Sequence, residues 1–79
     1  MAESLTPRMK RALLQIGYGV FGREGGFYDE GGERLDLRSA NALCRRGWVM
    51  YYTIGGAPVS GRLDLTDEGW RMFEECQPR

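Results

Sequence analysis

Residues 36–68 read DLRSANALCRRGWVMYYTIGGAPVSGRLDLTDE, and a helical pattern passes into a strand pattern within this stretch. Asp36 is a suitable N-cap, and apolar residues recur behind it at helical spacing, which predicts a helix over residues 37–46. Gly47 favours the left-handed conformation that ends many helices. The predicted inner face consists of Leu37, Ala40, Leu43 and Cys44. The residues predicted to point outward are Arg38, Ser39, Asn41, Ala42 and Arg45.

This helix leads directly into a predicted β-hairpin. Trp48 and Val49 are expected to be buried anchors, and residues 49–54 are mostly β-branched or aromatic, as strands prefer. Residues 61–65 alternate polar and apolar side chains, which predicts the returning strand. Residues 55–60 contain glycines and a proline, and we expect them to form a six-residue turn.

A further helix is predicted on each side of this region. Thr6 is a suitable cap for the first, and Pro7 fits its first position, where no amide hydrogen is needed. Residues 17–19 are expected to end it. Thr66 is a suitable cap for the last helix, and Pro78 marks its end. Its buried stripe is predicted to be Trp70, Phe73 and Cys76.

Residues 18–36 contain six glycines and are interpreted as a loop. Phe27 and Tyr28 are expected to form a short extended piece, followed by a turn over residues 29–32. The expected fold class is therefore α+β, with the order helix, short loop or strand, helix, β-hairpin, helix. The length predicts one domain over residues 1–79, with frayed ends at residues 1–4 and 77–79.

The net charge is zero, with eleven basic and eleven acidic residues, but charge is segregated along the chain. Residues 37–63 contain four arginines and no acid. The chain has no histidine, which excludes His-based acid–base catalysis and Cys–His zinc sites, and Cys44 and Cys76 are interpreted as buried reduced thiols. No apolar run could span a bilayer, so we expect a cytoplasmic protein, with no cofactor, metal or enzymatic activity.

Three segments carry a family resemblance: residues 5–7 with the helix behind them, residues 38–49 (RSANALCRRGWV) and residues 62–69 (RLDLTDEG). They resemble the winged helix-turn-helix family in its short phage and bacterial form. In that family, a recognition helix passes through an Arg-Gly-apolar-apolar step into the first wing strand. The second wing strand leads through Leu-Thr-acid-x-Gly into a closing helix. The family usually has a full helix before the recognition helix, and residues 18–36 do not show that pattern.

The resemblance implies a transcriptional regulator of phage or mobile-element origin that binds double-stranded DNA. It implies that helix 37–46 enters the major groove and that the wing, residues 49–65, lies beside it. The implied DNA contacts are Arg38, Ser39, Asn41, Ala42, Arg45 and Arg62, with Arg8 and Arg11 at phosphates. A homodimer is compatible with this function, because one such domain alone would bind DNA weakly.

The alternative is a protein-binding inhibitor of a host complex, for example an anti-CRISPR or other anti-defence protein with the same fold and no DNA binding. Zero net charge, the acidic segment 24–36 and several aromatic residues favour it. The aromatic residues are Tyr18, Phe21, Phe27, Tyr28 and Tyr51. Filling of the small core is the competing interpretation of these side chains. At this point both partners, DNA and a host protein, remain open.

Overall fold

The computed structural model describes residues 5–23, 25–54 and 57–77, except for the side chains of residues 52–61. Within these ranges the chain forms three helices and a four-stranded antiparallel sheet, which confirms the α+β class. The elements are α1 (Pro7–Tyr18), β1 (Val20–Arg23), β2 (Gly26–Asp29), α2 (Leu37–Arg45), β3 (Val49–Ile54), β4 (Ala57–Leu65) and α3 (Asp67–Cys76). No helix in the described part is long and apolar enough to cross a membrane.

The helices begin where a capping side chain precedes an apolar stripe, as predicted. Thr6, Asp36 and Thr66 each accept a hydrogen bond from a backbone amide two or three residues ahead, at 3.1 or 3.2 Å. Each bond satisfies an amide that lacks a partner within the helix. After α2, Gly47 adopts a φ of +78°, which confirms its predicted left-handed conformation.

Residues 18–36 contain a hairpin that the sequence analysis missed. β1 pairs with β2, and Phe21 of β1 also pairs with Arg62 of β4, which gives the strand order β2-β1-β4-β3. The extended piece at Phe27 and Tyr28 and the turn after Asp29 are confirmed, but the interpretation of residues 20–23 as loop is wrong. Strands of four residues show too little alternation to be recognised, and pairing with β4 is a long-range contact.

The second hairpin is tighter than predicted. β4 begins at Ala57, which pairs with Ile54, so the proposed six-residue turn is too long. Gly55 and Gly56 of that turn lie outside the described residues, as do residues 1–4 and residues 78–79 of the expected frayed ends. Gln77, the first residue of the expected C-terminal frayed end, caps α3, and its side chain donates a hydrogen bond to the Tyr18 hydroxyl at 3.2 Å. Pro58 pairs opposite Thr53 in a part of β4 beyond the pairing with β1. A strand with one open side tolerates a residue that lacks an amide hydrogen. The prediction takes Pro58 as a sign of a turn, although a proline is compatible with this part of β4.

The core lies between the helices and one face of the sheet. Its largest fully buried side chains are Leu13, Val20, Leu35 and Leu43. Trp48 and Val49 are buried as predicted, whereas Leu37 and Trp70, both predicted to be inner-face residues, are each 40% exposed. Leu37 lines the open groove that Arg34 and Arg38 also border. Trp70 packs edge-on against Phe73, with ring centroids 5.3 Å apart.

The two cysteines are less deeply placed than predicted. Cys44 and Cys76 are free thiols and half-buried, and both pack at the margin of the core. Burial raises the pKa of the Cys44 thiol above its ordinary value, because a thiolate is poorly solvated there. The Cys44 thiol is therefore protonated and weakly nucleophilic at neutral pH.

Candidate nucleic-acid interface

The outward side of α2 carries three polar residues in one row. Arg38, Asn41 and Arg45 are all exposed. Successive residues of a helix are about 100° apart, so these three lie within about 60° of one another around its axis. The opposite side of α2 is formed by Ser39, Ala40 and Leu43, which are buried. We refer to Arg38, Asn41 and Arg45 as the α2 stripe.

Ser39 does not belong to the outward side, and that prediction is wrong. Its side chain is only 6% exposed, and its hydroxyl donates a hydrogen bond to the Asp36 carboxylate at 2.8 Å. This hydrogen bond, with further help from the Arg38 amide and the positive charge of Arg8, holds the pKa of Asp36 below its ordinary value. Ser39 therefore supports the cap of α2. Ala42, another predicted contact, is half-buried and packs against the core from the edge of the α2 stripe.

Arginines from outside α2 lie beside its first turn. One open groove is lined by Arg8, Arg11, Gln15, Glu33, Arg34 and Asp36. Arg11 forms an exposed ion pair with Glu33 at 3.2 Å, so its charge is partly offset. Arg34 donates a hydrogen bond to the Gly25 carbonyl at 3.0 Å and also lines a neighbouring groove that reaches Arg38. The structure thus brings Arg8 and Arg11 close to the start of the α2 stripe and adds Arg34, which the sequence analysis missed.

Arg62 lies elsewhere. It alternates along β4 with the core residues Leu63 and Leu65, so it points to the face of the sheet away from the helices. Its guanidinium lies over the Phe21 ring, 5.4 Å from the ring centroid. The predicted contact set therefore divides into two surfaces. The α2 stripe and the α1 arginines form one, and Arg62 lies on the other.

A second groove runs along the exposed side of α1. Pro7, Leu14 and Tyr18 contribute its apolar surface, and the turn after β2 closes one side. Asp29 in that turn accepts hydrogen bonds from the Gln15 side chain at 3.1 Å and from the Glu33 amide at 2.9 Å. The bond from Gln15 is the main reason that the pKa of Asp29 lies below its ordinary value. The rim of this groove is consequently anchored to α1.

Comparisons with protein-family models, with curated proteins and with solved structures find no match for this chain. Among the described residues, no three cysteine or acidic side chains lie close enough together to hold a metal ion. Function is therefore inferred from the geometry and charge of the described side chains.

Proposed function

We propose that this protein binds double-stranded DNA as a winged-helix protein and places α2 in the major groove. The observation that carries this proposal is the α2 stripe, in which two arginines and an asparagine share one exposed side of a helix. No acidic residue occurs in residues 37–63, so α2 itself carries no acidic side chain that would repel the phosphates.

The residue types of the α2 stripe match the hydrogen-bonding pattern of base edges. An arginine can donate two hydrogen bonds to guanine, and an asparagine can exchange two with adenine. Arg38 and Arg45 lie two turns apart with Asn41 between them. Residues at this spacing share one side of a helix, so all three can face the base edges when the helix lies in the major groove. Ala42 at the edge of the stripe is small and permits close approach of the helix backbone.

The surroundings of α2 support phosphate contacts near its first turn. Arg8 and Arg34 flank this turn, and in many DNA complexes such contacts set the orientation of the helix while the bases supply specificity. Arg62 is not included in the proposed DNA surface, because its guanidinium lies on the opposite face of the sheet. The β1–β2 hairpin occupies the chain position where the winged-helix family usually has a helix, so α2 is supported by α1 and the sheet instead.

The test is fluorescence anisotropy with a labelled mixed-sequence duplex at about 50 mM and about 200 mM salt. We expect a dissociation constant of about 1 to 100 µM at low salt and a steep loss of affinity at high salt. The double variant Arg38→Ala/Arg45→Ala should bind about tenfold or more weakly. Arg71→Ala, which removes an exposed arginine of α3, is the matched control and should bind like the unchanged protein.

Two results would overturn this proposal. One is the absence of binding to duplex DNA at low salt. The other is a loss of log affinity in the α2 double variant that is only twice the loss in the Arg71→Ala control, because two arginines are removed against one and binding would then depend on total charge rather than on the α2 stripe.

A second candidate function is inhibition of a host protein complex, and the apolar groove along α1 favours it. Tyr18 is 64% exposed although it packs edge-on against Phe73, with ring centroids 5.2 Å apart. Aromatic side chains held in this way are frequent binding hot spots. This candidate predicts no salt-dependent DNA binding and a stoichiometric complex with one host protein that Tyr18→Ala weakens. An equally strong complex with the Tyr18→Ala variant would argue against it.

A further inference from the structure

The sheet is covered by helices on one face only in the described part of the chain. Val20, Val49 and Leu65 point into the core beneath the helices. Because side chains alternate along a strand, their neighbours in β1, β3 and β4 point to the other face. This outer sheet face, as we define it here, comprises Phe21, Tyr28, Met50, Arg62 and Asp64.

The outer sheet face exposes two large apolar side chains. Phe21 is 44% exposed and Met50 is 45% exposed. Tyr28 pairs directly with Phe21 on the neighbouring strand and is half-buried. Phe21 and Tyr28 adjoin each other, whereas Met50 lies on the far side of β4, so apolar side chains flank Arg62 and Asp64 on both sides. Exposed apolar side chains gathered on one face of a sheet favour a contact site.

The charges within this apolar surface are of opposite sign. Arg62 and Asp64 are two residues apart on β4, so both point outward from the same strand. Arg62 lies over the Phe21 ring, and Asp64 pairs opposite Met50. One Asp64 carboxylate oxygen accepts a hydrogen bond from the Leu65 amide at 2.8 Å, which restrains the position of the carboxylate. Arg23, at the end of β1, is a further exposed charge at the rim.

We infer that the outer sheet face binds a second copy of this chain. The two copies stack their outer sheet faces about a two-fold axis that runs between the sheets, perpendicular to β4 and level with Leu63, and this axis reverses the strand direction. Position 62 of one copy then lies opposite position 64 of the other, so Arg62 of each copy meets Asp64 of the other. Two such ion pairs form at once, flanked by Phe21 and Met50 from both copies.

The second copy is the occupant because the pattern of charge is self-complementary. An interface with two-fold symmetry uses the same patch on both subunits, so the patch must be complementary to itself in charge. Arg62 and Asp64 meet this condition on a single strand. The α2 stripe lies on the helical side of the sheet and stays accessible in the dimer. The dimer goes beyond the proposed DNA binding and does not depend on it.

The experiment is sedimentation equilibrium of the protein alone, without DNA, over a wide range of concentration. The unchanged chain should be in equilibrium between monomer and dimer. Arg62→Asp places two acids opposite each other in each pair and should weaken the dimer about tenfold or more. The charge-swapped variant Arg62→Asp/Asp64→Arg should restore it, because each pair is then rebuilt with its signs exchanged. Arg71→Asp on α3 is the matched control and should leave association unchanged.

Met50→Lys provides a second variant, which should weaken the dimer by adding an unpaired charge to the apolar surface. Circular dichroism identifies the variants that remain folded. A monomer at all concentrations overturns the inference, and so does a dimer that a folded Arg62→Asp variant leaves unchanged. A folded charge-swapped variant that remains monomeric overturns the pairing of Arg62 with Asp64. Because DNA is absent from this experiment, failure here is distinguishable from failure of the DNA proposal.

Discussion

The Thr66 hydroxyl donates a hydrogen bond to the Gly47 carbonyl oxygen at 2.6 Å and so joins the end of α2 to the start of α3. The same hydroxyl accepts the capping bond from the Gly69 amide. The Thr66 amide donates to the Trp48 carbonyl oxygen at 3.0 Å. The Arg-Gly-Trp-Val step and the Leu-Thr-Asp-Glu-Gly step, far apart in sequence, therefore form one joint.

Replacement of Thr66 tests this joint. Thr66→Val keeps the size of the side chain but removes the hydroxyl, so both the cap and the bond to Gly47 are lost. We expect the free energy of unfolding to fall by about 1 to 3 kcal/mol. Thr66→Ser retains the hydroxyl and should lose less than about 1 kcal/mol. Urea unfolding of both variants measures the difference, and equal stability would show that the hydroxyl has no structural role.

Gly69 is required at the joint because it approaches the backbone closely. A Cβ at this position would overlap the Trp48 carbonyl oxygen, which cannot move without shifting the chain. Gly69→Ala should therefore destabilise the protein by about 1 to 3 kcal/mol, although alanine normally favours a helix. Gly31→Ala is the control, since a Cβ there would meet its nearest atom at 3.4 Å. Thermal unfolding should separate the two variants, and a stable Gly69→Ala variant would contradict the close approach.

Gly17 performs the equivalent role between α1 and α3. A Cβ at Gly17 would overlap the ring of Phe73, which is held between the edges of Tyr18 and Trp70. Gly17→Ala should lower the free energy of unfolding by about 1 to 3 kcal/mol. In a double-mutant cycle, Phe73→Leu should reduce the cost of the alanine, because the smaller side chain leaves space for it. Strictly additive effects would show that the two positions do not touch.

Acid should weaken the start of α2. The pKa of Asp36 is lowered in the folded state, chiefly by the hydrogen bond from Ser39, so its contribution to stability is complete above the ordinary value of 3.8. This contribution is lost as the pH falls through the lower folded pKa. Asp36→Asn should therefore show a shallower loss of thermal stability between neutral pH and about pH 3 than the unchanged chain. Glu68→Gln, at an exposed acid of α3, is the comparison. Identical pH profiles for all three proteins would exclude this role of Asp36.

Two single substitutions distinguish phosphate contacts from base contacts in the proposed DNA complex. Arg8→Ala should weaken binding to all duplex sequences alike and reduce the dependence of log affinity on log salt by about one. Asn41→Ala should leave the salt dependence unchanged and alter the preference among sequences selected from a random pool. If the two variants had the same effect on both measurements, α2 would not be the element that reads the bases.

The helix boundaries could be predicted from the sequence because their causes are local. Thr6, Asp36 and Thr66 accept hydrogen bonds from amides two or three residues ahead. Gly47 adopts a left-handed backbone conformation that residues with a side chain rarely adopt. The exposed positions of Arg38, Asn41 and Arg45 likewise follow from helical periodicity. These features depend on neighbouring residues, which a sequence displays directly.

Other parts of the candidate site depend on contacts between distant segments. Ser39 is an exception, because its partner Asp36 is only three residues away and helical spacing sets it on the same side of α2 as Ala40 and Leu43, so its burial follows from a local pattern that the prediction overlooked. Arg34 comes close to Arg8 because the β1–β2 hairpin and α1 meet, which no local pattern indicates.

The sequence by itself determined the α+β class, the helix starts and the polar residues on the exposed side of α2, since caps and periodicity act within one or two turns. Tertiary structure alone decided that β1 pairs with β4 and that Arg62 lies over Phe21 on the outer sheet face. Strand pairing joins residues distant in the chain, and a shift of register by one residue would move each side chain to the opposite face.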